Sequence, residues 1–387
     1  MDTTKQTTFF CLVILLAGFA AGSNAWTPGA KAACPEFLPG QSLGTLESSM
    51  IDEASGMAGS RDNPGVLWMH NDSGDSARVF ATDIHGTHLG VYNLSGTGAY
   101  DWEDMAVGPG PVANQSYLYL GDIGDNNAVR STMQVHRVAE PTVSPDQTPV
   151  NETIYGVETF TLAYPDGARD AETLLVDPVN GDLYVVSKRE TRSRVYRAPC
   201  PLSTSGTITM EYKGELPWGW ATGGDISPAG DEIIIRGYFT ASLWQRPLGT
   251  NLWEAFSQTP CSIPLVVEPQ GESICFDATG LDYFTVSEGT SQPVYYFERI
   301  SGRIPGDANR DGVVNEDDAQ ILAENWGQNG GWAQGDFTLD GIVNALDASI
   351  LAANWGSSAS ETTPAPEPGT LATLLGIIGI ALLWRRN

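Results

Sequence analysis

Two acidic stretches near the C-terminus have the residue types and the spacing that bind a hard metal ion. In the first, which starts at Gly306, oxygen donors fall at positions 1, 3, 5, 7, 9 and 12 of a calcium-binding loop. These donors are Asp307, Asn309, Asp311, the Val313 carbonyl, Asn315 and Asp318. Gly312 occupies position 6, where a sharp turn favours a residue without a Cβ atom. The spacing predicts one calcium ion in this loop.

The second stretch repeats the pattern and predicts a second calcium ion. Its donors are Asp336, Thr338, Asp340, the Ile342 carbonyl, Asn344 and Asp347, with Gly341 at the turn. Each loop leads into one short apolar helix, predicted at residues 319–326 and 348–355, and no helical pattern precedes either loop. This duplicated loop–helix unit, a double EF-hand-type module, resembles a type I dockerin over residues 305–357. The resemblance implies calcium-dependent assembly with a cohesin-like or other surface protein.

The two ends of the chain indicate export. A lysine, an apolar run and small residues before Trp26 predict a cleaved signal peptide at residues 1–25. Residues 366–387 contain Pro-Glu-Pro, fourteen apolar residues and Arg385-Arg386, an order that resembles a PEP-CTERM sorting signal. The resemblance implies processing by an exosortase-type enzyme after membrane contact through the C-terminal hydrophobic helix; a permanent anchor is the alternative. A Ser/Thr/Pro linker is predicted at residues 358–368.

Composition agrees with a place at the cell envelope or extracellular surface. The formal net charge of -27 excludes nucleic acid as a partner, because phosphates require Lys and Arg. Removal of the signal peptide leaves Cys34, Cys200, Cys261 and Cys275 in an oxidising compartment. Two disulfides with three connectivities, or four free thiols, are compatible with this set.

Residues 26–301 are predicted to be mainly β and to repeat. Five short acidic segments are each followed by a second and a third strand of similar shape, and four fourth strands follow as HLGVYNL, ETFTLAY, TITMEYK and LWEAFSQ. SLGTLES near the N-terminus can supply the missing strand and close a ring, which removes open sheet edges. The pattern predicts a five-bladed β-propeller, with six blades as the alternative if residues 110–170 contain another blade.

The propeller geometry predicts a polar face at one end of the channel. Inner strands begin where second strands end, so the polar residues at these positions should share one face. The candidates are Glu53, His70, Asn71, Asp72, Glu103, Asp122, Asp125, Glu172, Lys188, Asp225, Arg236 and Glu272. Two interpretations stay open: the acids hold a further calcium ion in the channel, or they hydrogen-bond amides of neighbouring blades.

Two functional classes fit these features. In the first, the propeller binds a glycan, a protein or a polyanion while the dockerin-like module docks a partner. In the second, the propeller is a calcium-dependent extracellular hydrolase of a glycoside, a phosphoester or a lactone. Repeated acids offer too many carboxylate pairs to select a catalytic one, so no catalytic residue is assigned and the first class is favoured.

Overall fold

The computed structural model describes residues 34–247, 249–300, 304–309, 312–328, 332–338 and 342–358. The predicted signal peptide (1–25), the sorting segment (366–387) and all but the first residue of the linker (358–368) lie outside these residues. The predicted ligands Asp311 and Asp340, and the turn residue Gly341, also lie outside them. In the part of the chain that is described, no helix has the length and apolar character needed to cross a bilayer.

The strands occupy the first three quarters of the chain. In chain order they are β1 Gln41–Thr45, β2 Ala54–Gly59, β3 Val66–Asn71, β4 Arg78–Asp83, β5 His88–Leu94, β6 Trp102–Pro109, β7 Ser116–Asp122, β8 Met133–Ala139, β9 Val150–Ile154, β10 Glu158–Ala163, β11 Ala171–Val176, β12 Leu183–Ser187, β13 Arg194–Ala198, β14 Thr207–Thr209, β15 Glu211–Glu215, β16 Gly223–Ile226, β17 Glu232–Arg236, β18 Ala241–Gln245, β19 Cys261–Ile263, β20 Gly271–Phe276, β21 Tyr283–Ser287 and β22 Pro293–Phe297.

These strands form five sheets, and the prediction of a five-bladed propeller is confirmed. From the axis outwards, blade 1 is β2-β3-β4-β5-β9, blade 2 is β6-β7-β8-β10-β14, blade 3 is β11-β12-β13-β15, and blade 4 is β16-β17-β18-β19. Blade 5 is β20-β21-β22-β1. The six-bladed alternative is wrong, because residues 110–170 complete blade 2 and add β9 to the outer edge of blade 1.

The ring is closed by the N-terminal segment. Strand β1 pairs antiparallel with β22, so blade 5 contains both ends of the propeller sequence. A disulfide joins Cys34 to Cys261 in the outer strand of blade 4, across 227 residues of sequence. Of the other cysteines that the structure describes, Cys200 is an exposed thiol and Cys275 a buried one. The closure gives blade 5 its outer strand, and the inner edge of each blade is a short strand that faces the channel.

The hydrophobic core is divided among the junctions between blades. Side chains of neighbouring blades form five separate clusters, and Trp68, Leu174, Ile233, Phe284 and Phe276 each belong to a different one. The inner strands are buried at nearly every position because they pack against both neighbouring blades. This arrangement fixes the starting points of the inner strands around the axis.

Two of the predicted fourth strands differ from the structure. LWEAFSQ is a 3-10 helix at Leu252–Ser257, since Leu252, Ala255 and Phe256 are buried at helical spacing and Glu254 forms a capping box with Asn251. The fourth strand of blade 4 is β19 instead. TITMEYK is divided at Met210: its first part pairs with β10 of blade 2, and its second part completes blade 3.

After the propeller, the described residues form two α-helices, α1 Glu316–Glu324 and α2 Ala345–Ala353, and a 3-10 turn at Trp332–Gln334. Each α-helix begins in the last positions of one predicted calcium loop, three residues before the predicted starts at residues 319 and 348. Leu322 and Leu351, one from each helix, lie in a core shared with Val314 and Val343. The two copies of the motif therefore pack on each other.

Candidate metal centre at the channel mouth

The inner strands of four blades begin with a β-bulge, and in three of them the bulged residue is a glutamate. The pairing register skips Glu103 in β6, Glu172 in β11 and Glu272 in β20. Ser55 holds this position in β2, and β16 pairs regularly from Gly223. A bulge turns one residue out of the ladder and redirects its side chain. The channel mouth, which we define as the end where the inner strands begin, thus receives three glutamates.

Glu103 is common to two groups of carboxylates, which we together call the mouth cluster. The cluster consists of Asp72, Asp101, Glu103, Asp170 and Glu172. One oxygen from each of Asp72, Asp101 and Glu103 lies within 4.8 Å of the other two, and the same holds for Glu103, Asp170 and Glu172. A calcium ion binds oxygens at about 2.4 Å, so small movements of these side chains would bring three oxygens into contact with one ion.

A glycine provides the space in which two of these carboxylates meet. A Cβ atom built on Gly124 would lie 2.2 Å from Oε1 of Glu103 and 2.6 Å from Cγ of Asp101. Real Cβ atoms do not approach other atoms so closely, so any side chain at this position would displace the carboxylates. The loop after β7 is therefore adapted to the mouth cluster.

Two cations neutralise part of the negative charge. The ammonium group of Lys188 contacts the Glu172 carboxylate, donates to the Tyr238 hydroxyl at 2.8 Å and lies 3.9 Å from Glu272. The Tyr238 hydroxyl in turn donates to Glu272 at 3.0 Å. On the other side, Nε of Arg189 lies 2.5 Å from Asp170. Both contacts compensate acids beside Glu103 rather than Glu103 itself.

Glu103 is a buried carboxylate without a partner. Its exposed fraction is 3%, yet among the described residues no group donates a hydrogen bond or forms an ion pair to its side chain. Burial, followed by the charges of Glu172 and Asp72, raises the pKa of Glu103 well above its usual value. Burial likewise raises the pKa of Asp72 to about 6 and that of Glu172 to about 8. The charged cluster is thus costly unless a cation joins it.

Deeper in the channel lies a second set of acids, which we call the channel layer: Asp104 and Asp225. The Asp104 carboxylate accepts from the amides of Met105 at 2.9 Å, Leu174 at 2.9 Å and Gly224 at 3.2 Å, which belong to three different blades. Asp225 accepts from the amide of Phe276 in blade 5 at 2.9 Å. These acids connect the blades across the axis.

The prediction that Asp225 faces the mouth is therefore corrected. Asp225 is the third residue of its strand and pairs at 3.5 Å with Arg61, which follows the far end of β2. Arg61 also donates to the carbonyls of Ile226 and Asp277 at 3.0 and 3.1 Å. Arg61 thus joins the far end of β2 to blades 4 and 5 below the mouth cluster.

Three other predicted face residues are instead engaged in packing, hydrogen bonds or ion pairs within the propeller. His70 is fully buried, and its ring packs edge-on against Trp102 with centroids 5.3 Å apart. Burial lowers the pKa of His70, which favours the neutral imidazole. Asn71 donates to the Met50 carbonyl at 2.7 Å, and Arg236 forms a buried ion pair with Glu268 at 2.7 Å.

The remaining predicted face residues lie near the mouth cluster without belonging to it. Asp122 pairs with Arg130 at 2.7 Å, and Asp125 accepts from the Arg130 amide at 2.6 Å. Glu53 is exposed, and its carbonyl accepts from the Asp72 amide at 2.9 Å. Glu272 is reached by Lys188 and Tyr238, as described above.

Sequence reasoning missed Asp101 and Asp170, although a signal for both exists. Each lies two residues before a bulged glutamate, so that blades 2 and 3 share the spacing Asp-x-Glu at Asp101-Trp102-Glu103 and Asp170-Ala171-Glu172. The equivalent residue of blade 5 is Gln270. Comparison of the blades at this offset would have found the two additional acids.

In the C-terminal module, the described candidate ligands gather at the helix starts. Asp318 accepts from the amides of Ala308 at 2.7 Å and Asn315 at 2.8 Å, and Asp347 accepts from those of Thr338 at 2.9 Å and Asn344 at 2.8 Å. These bonds draw each loop around the acid at its position 12. Asp307 and Asp336 are also buried, although both are charged side chains.

The other predicted donors that the structure describes lie in the loops or at the starts of the helices. The side chains of Val313 and Ile342 are exposed, which suits residues predicted to offer only a backbone carbonyl. Asn309 precedes a part of the loop that is not described. Asn315 and Asn344 cap their helices by accepting from the amides two residues later. Oxygen donors alone fit a hard cation such as calcium.

Comparison with known proteins identifies one part of the chain. Residues 305–362 match the family model of the Dockerin type I domain. No curated protein matches the chain. Among solved structures, a nidogen/laminin complex shares 10% identity at a TM-score of 0.35, over 61% of this chain and 73% of that one. A luciferin-regenerating enzyme shares 9% identity at a TM-score of 0.36, over 66% of this chain and 95% of that one. Neither likeness supports an inference about function.

The fold and this match define a class: a five-bladed β-propeller followed by a type I dockerin domain. Dockerin type I domains bind calcium and dock onto cohesin partners. The dockerin domain thus indicates assembly with another protein and a place outside the cell or at its surface.

Proposed function

We propose that the protein is an exported component of the cell surface that binds a ligand with its propeller and joins an assembly through its dockerin domain. In this proposal the propeller spans residues 26–301 and the docking module residues 305–357. Residues 1–25 direct export, residues 358–368 form a spacer, and residues 366–387 hold the chain at the membrane until an exosortase-type enzyme acts. Two calcium ions occupy the docking module.

The observation that supports a ligand site on the propeller is the isolated carboxylate of Glu103. A buried charge without a partner destabilises a fold by several kcal/mol, so such a residue is expected where a bound group supplies the compensation. The three oxygens of either carboxylate group fill at most half of the roughly six to eight positions around a calcium ion. The remaining positions are open to a ligand that enters from solvent.

The channel below the mouth supports binding rather than transport through the ring. Asp104 links three blades below the mouth, and Arg61 contacts two blades from the opposite end. The mouth cluster is therefore the floor of a site that is reached from one face. A cation on this floor would present its free coordination positions outwards.

Hydrolysis is the second candidate, and one observation favours it. The raised pKa values of Glu103 and Glu172 are what a general acid near neutral pH requires. The pairing of Glu172 with Lys188 argues for a structural use of that carboxylate, so binding remains the better supported function.

Counting bound calcium tests the propeller site in the full chain. After equilibrium dialysis, we expect the Glu103→Gln variant to hold one ion fewer than the unmodified protein, because glutamine keeps the shape and removes the charge. Glu152→Gln, on the exposed outer strand β9, is the matched control and should change nothing. Equal calcium counts in all three proteins would contradict the propeller site and leave the dockerin loops as the calcium sites.

The docking function is tested separately with immobilised cohesin modules. Binding of the full chain should require calcium and should be abolished by EDTA, because the loops position α1 and α2. Asp318→Ala, which removes a loop acceptor, should reduce binding more than Asp317→Ala at the neighbouring exposed position. Docking that is unaffected by EDTA would overturn the proposed role of the loops.

A further inference from the structure

Three aromatic side chains surround the mouth cluster and point into solvent. Tyr100 is 73% exposed, Trp220 50% and Phe239 84%. Tyr100 directly precedes Asp101 of the cluster, and Phe239 follows Tyr238, whose hydroxyl contacts Lys188. Exposed aromatic groups collected around one site are typical of a binding surface. They suggest a ligand with an apolar face as well as polar groups.

Trp220 is held in its exposed position by the backbone. Its φ angle is +68°, in the left-handed region that bulky residues rarely adopt. The Trp220 amide donates to the Lys188 carbonyl at 2.8 Å. A Cβ atom built on Gly237 would lie 2.7 Å from the carbonyl oxygen of Trp220, so the two backbones are in close contact. The fold therefore constrains this residue so that the ring stands beside the cluster.

Two arginines restrict what the aromatic rings can bind. Arg130 lies 5.0 Å from the centre of the Tyr100 ring, and Arg189 lies 5.9 Å from that of Trp220. Since each guanidinium already occupies the cation-binding position of its ring, an organic cation would be repelled there. Their remaining N–H groups can instead donate to hydroxyl or carbonyl oxygens of a ligand. A neutral or acidic ligand fits this rim better than a cationic one.

We propose that the mouth binds a saccharide through a bound cation, an inference that rests on the proposed function. Ring hydroxyls complete the coordination of a calcium ion held by Glu103, and the C–H face of the sugar packs on Trp220. The two parts of the ligand thus match the two parts of the site. Calcium supplies the affinity for hydroxyl oxygens, and the aromatic rim favours a ligand that has an apolar C–H face.

A glycan array of neutral and uronic-acid oligosaccharides, probed with the full chain, tests the inference. We expect binding in calcium and none in EDTA. Trp220→Ala should weaken binding to the best oligosaccharide at least tenfold without changing the calcium count. Tyr212→Ala is the matched control, because Tyr212 is 49% exposed on the outer strand β15 and has Arg194 at 6.0 Å, yet lies away from the mouth. It should bind like the unmodified protein.

The outcomes separate this inference from the function beneath it. If the Glu103-dependent calcium ion is present but no glycan binds, the saccharide is wrong and the cation site stands. If polylysine binds in EDTA and calcium displaces it, the ligand is an organic cation and the inference is overturned. Equal losses in the Trp220 and Tyr212 variants would contradict the role of the rim. If the unmodified protein and Glu103→Gln bind the same number of calcium ions and no glycan binds, the proposed function of the propeller is refuted as well.

Discussion

Glu103 and Asp104 are neighbours in sequence and equally hidden from solvent, yet their surroundings differ in kind. Asp104 accepts hydrogen bonds from the amides of three blades. Glu103, turned the other way by the bulge, lies beside other carboxylates and has no hydrogen-bond or ion-pair partner for its side chain among the described residues. The channel layer is complete within the protein itself. The mouth cluster is not, and this difference separates a structural use of buried charge from a functional one.

Opposite effects on stability follow from this comparison. Removal of an acid that three amides share leaves those amides unsatisfied, so the fold is destabilised. Removal of an acid that lacks a partner relieves repulsion and desolvation, so the calcium-free fold is stabilised. Substitutions at adjacent positions should therefore shift the free energy of unfolding in opposite directions.

The largest effect is expected for Asp104→Ala. Three buried amides lose their acceptor, and each costs about 1 kcal/mol or more, so we expect a loss of about 3 kcal/mol in the free energy of unfolding. Urea denaturation of the full chain, monitored by a signal that reports unfolding of the propeller, measures this loss of stability. Asp104→Asn, which keeps one acceptor oxygen, should lose less. A loss below about 1 kcal/mol for the alanine variant would remove the distinction between the two layers.

Lys188→Met should have the next largest effect, of about 2 kcal/mol in the absence of calcium, because Glu172 and Glu272 lose their shared cation. Added calcium should restore part of this stability by replacing the ammonium group. Thermal denaturation with and without calcium gives both values. Lys213→Met, which breaks the contact with Glu211 on an outer strand, should cost no more than about 0.5 kcal/mol. Equal effects of the two substitutions would argue against a charged mouth.

Glu103→Gln should stabilise the calcium-free protein by about 1 kcal/mol, in the direction opposite to Asp104→Ala. The melting temperature in EDTA should rise, and the increase on adding calcium should be smaller than in the unmodified protein. Glu152→Gln on the exposed edge of blade 1 serves as the control. A fall in the melting temperature of Glu103→Gln in EDTA would show that Glu103 contributes to the fold in the same way as Asp104.

The smallest effect on stability is expected for Gly124→Ala, although its effect on calcium should be large. The added Cβ displaces the carboxylates of Glu103 and Asp101, so we expect at least a tenfold loss of calcium affinity at the mouth with a change in stability of less than about 1 kcal/mol. Gly98→Ala is matched to it, since a Cβ atom there meets nothing within 4 Å. Competition with a calcium indicator measures the calcium affinity of both variants. Unchanged affinity in Gly124→Ala would mean that the cation lies elsewhere.

The propeller could be predicted because its strands repeat with alternating apolar residues and its N-terminal segment offers a spare strand. The strand prediction for Leu252–Ser257 failed because its apolar residues have helical spacing. Within the site, Glu103, Glu172 and Glu272 could be found from their place at strand starts. Asp225 could not be excluded, since the bulge that redirects the three glutamates is set by pairing between strands and is not visible in one strand's sequence. The exposure of Trp220 depends on a backbone conformation that its sequence does not indicate.

The central claim is that a cation occupies the channel mouth and is held by Glu103. Anomalous diffraction from crystals of the full chain, grown with terbium in place of calcium, tests it most directly. We expect a peak within about 2.3–2.6 Å of a Glu103 oxygen and near two further carboxylates of the mouth cluster. Peaks in the two dockerin loops would serve as the internal control. Peaks in those loops with no peak at the mouth would contradict the account and assign Glu103 to the fold alone.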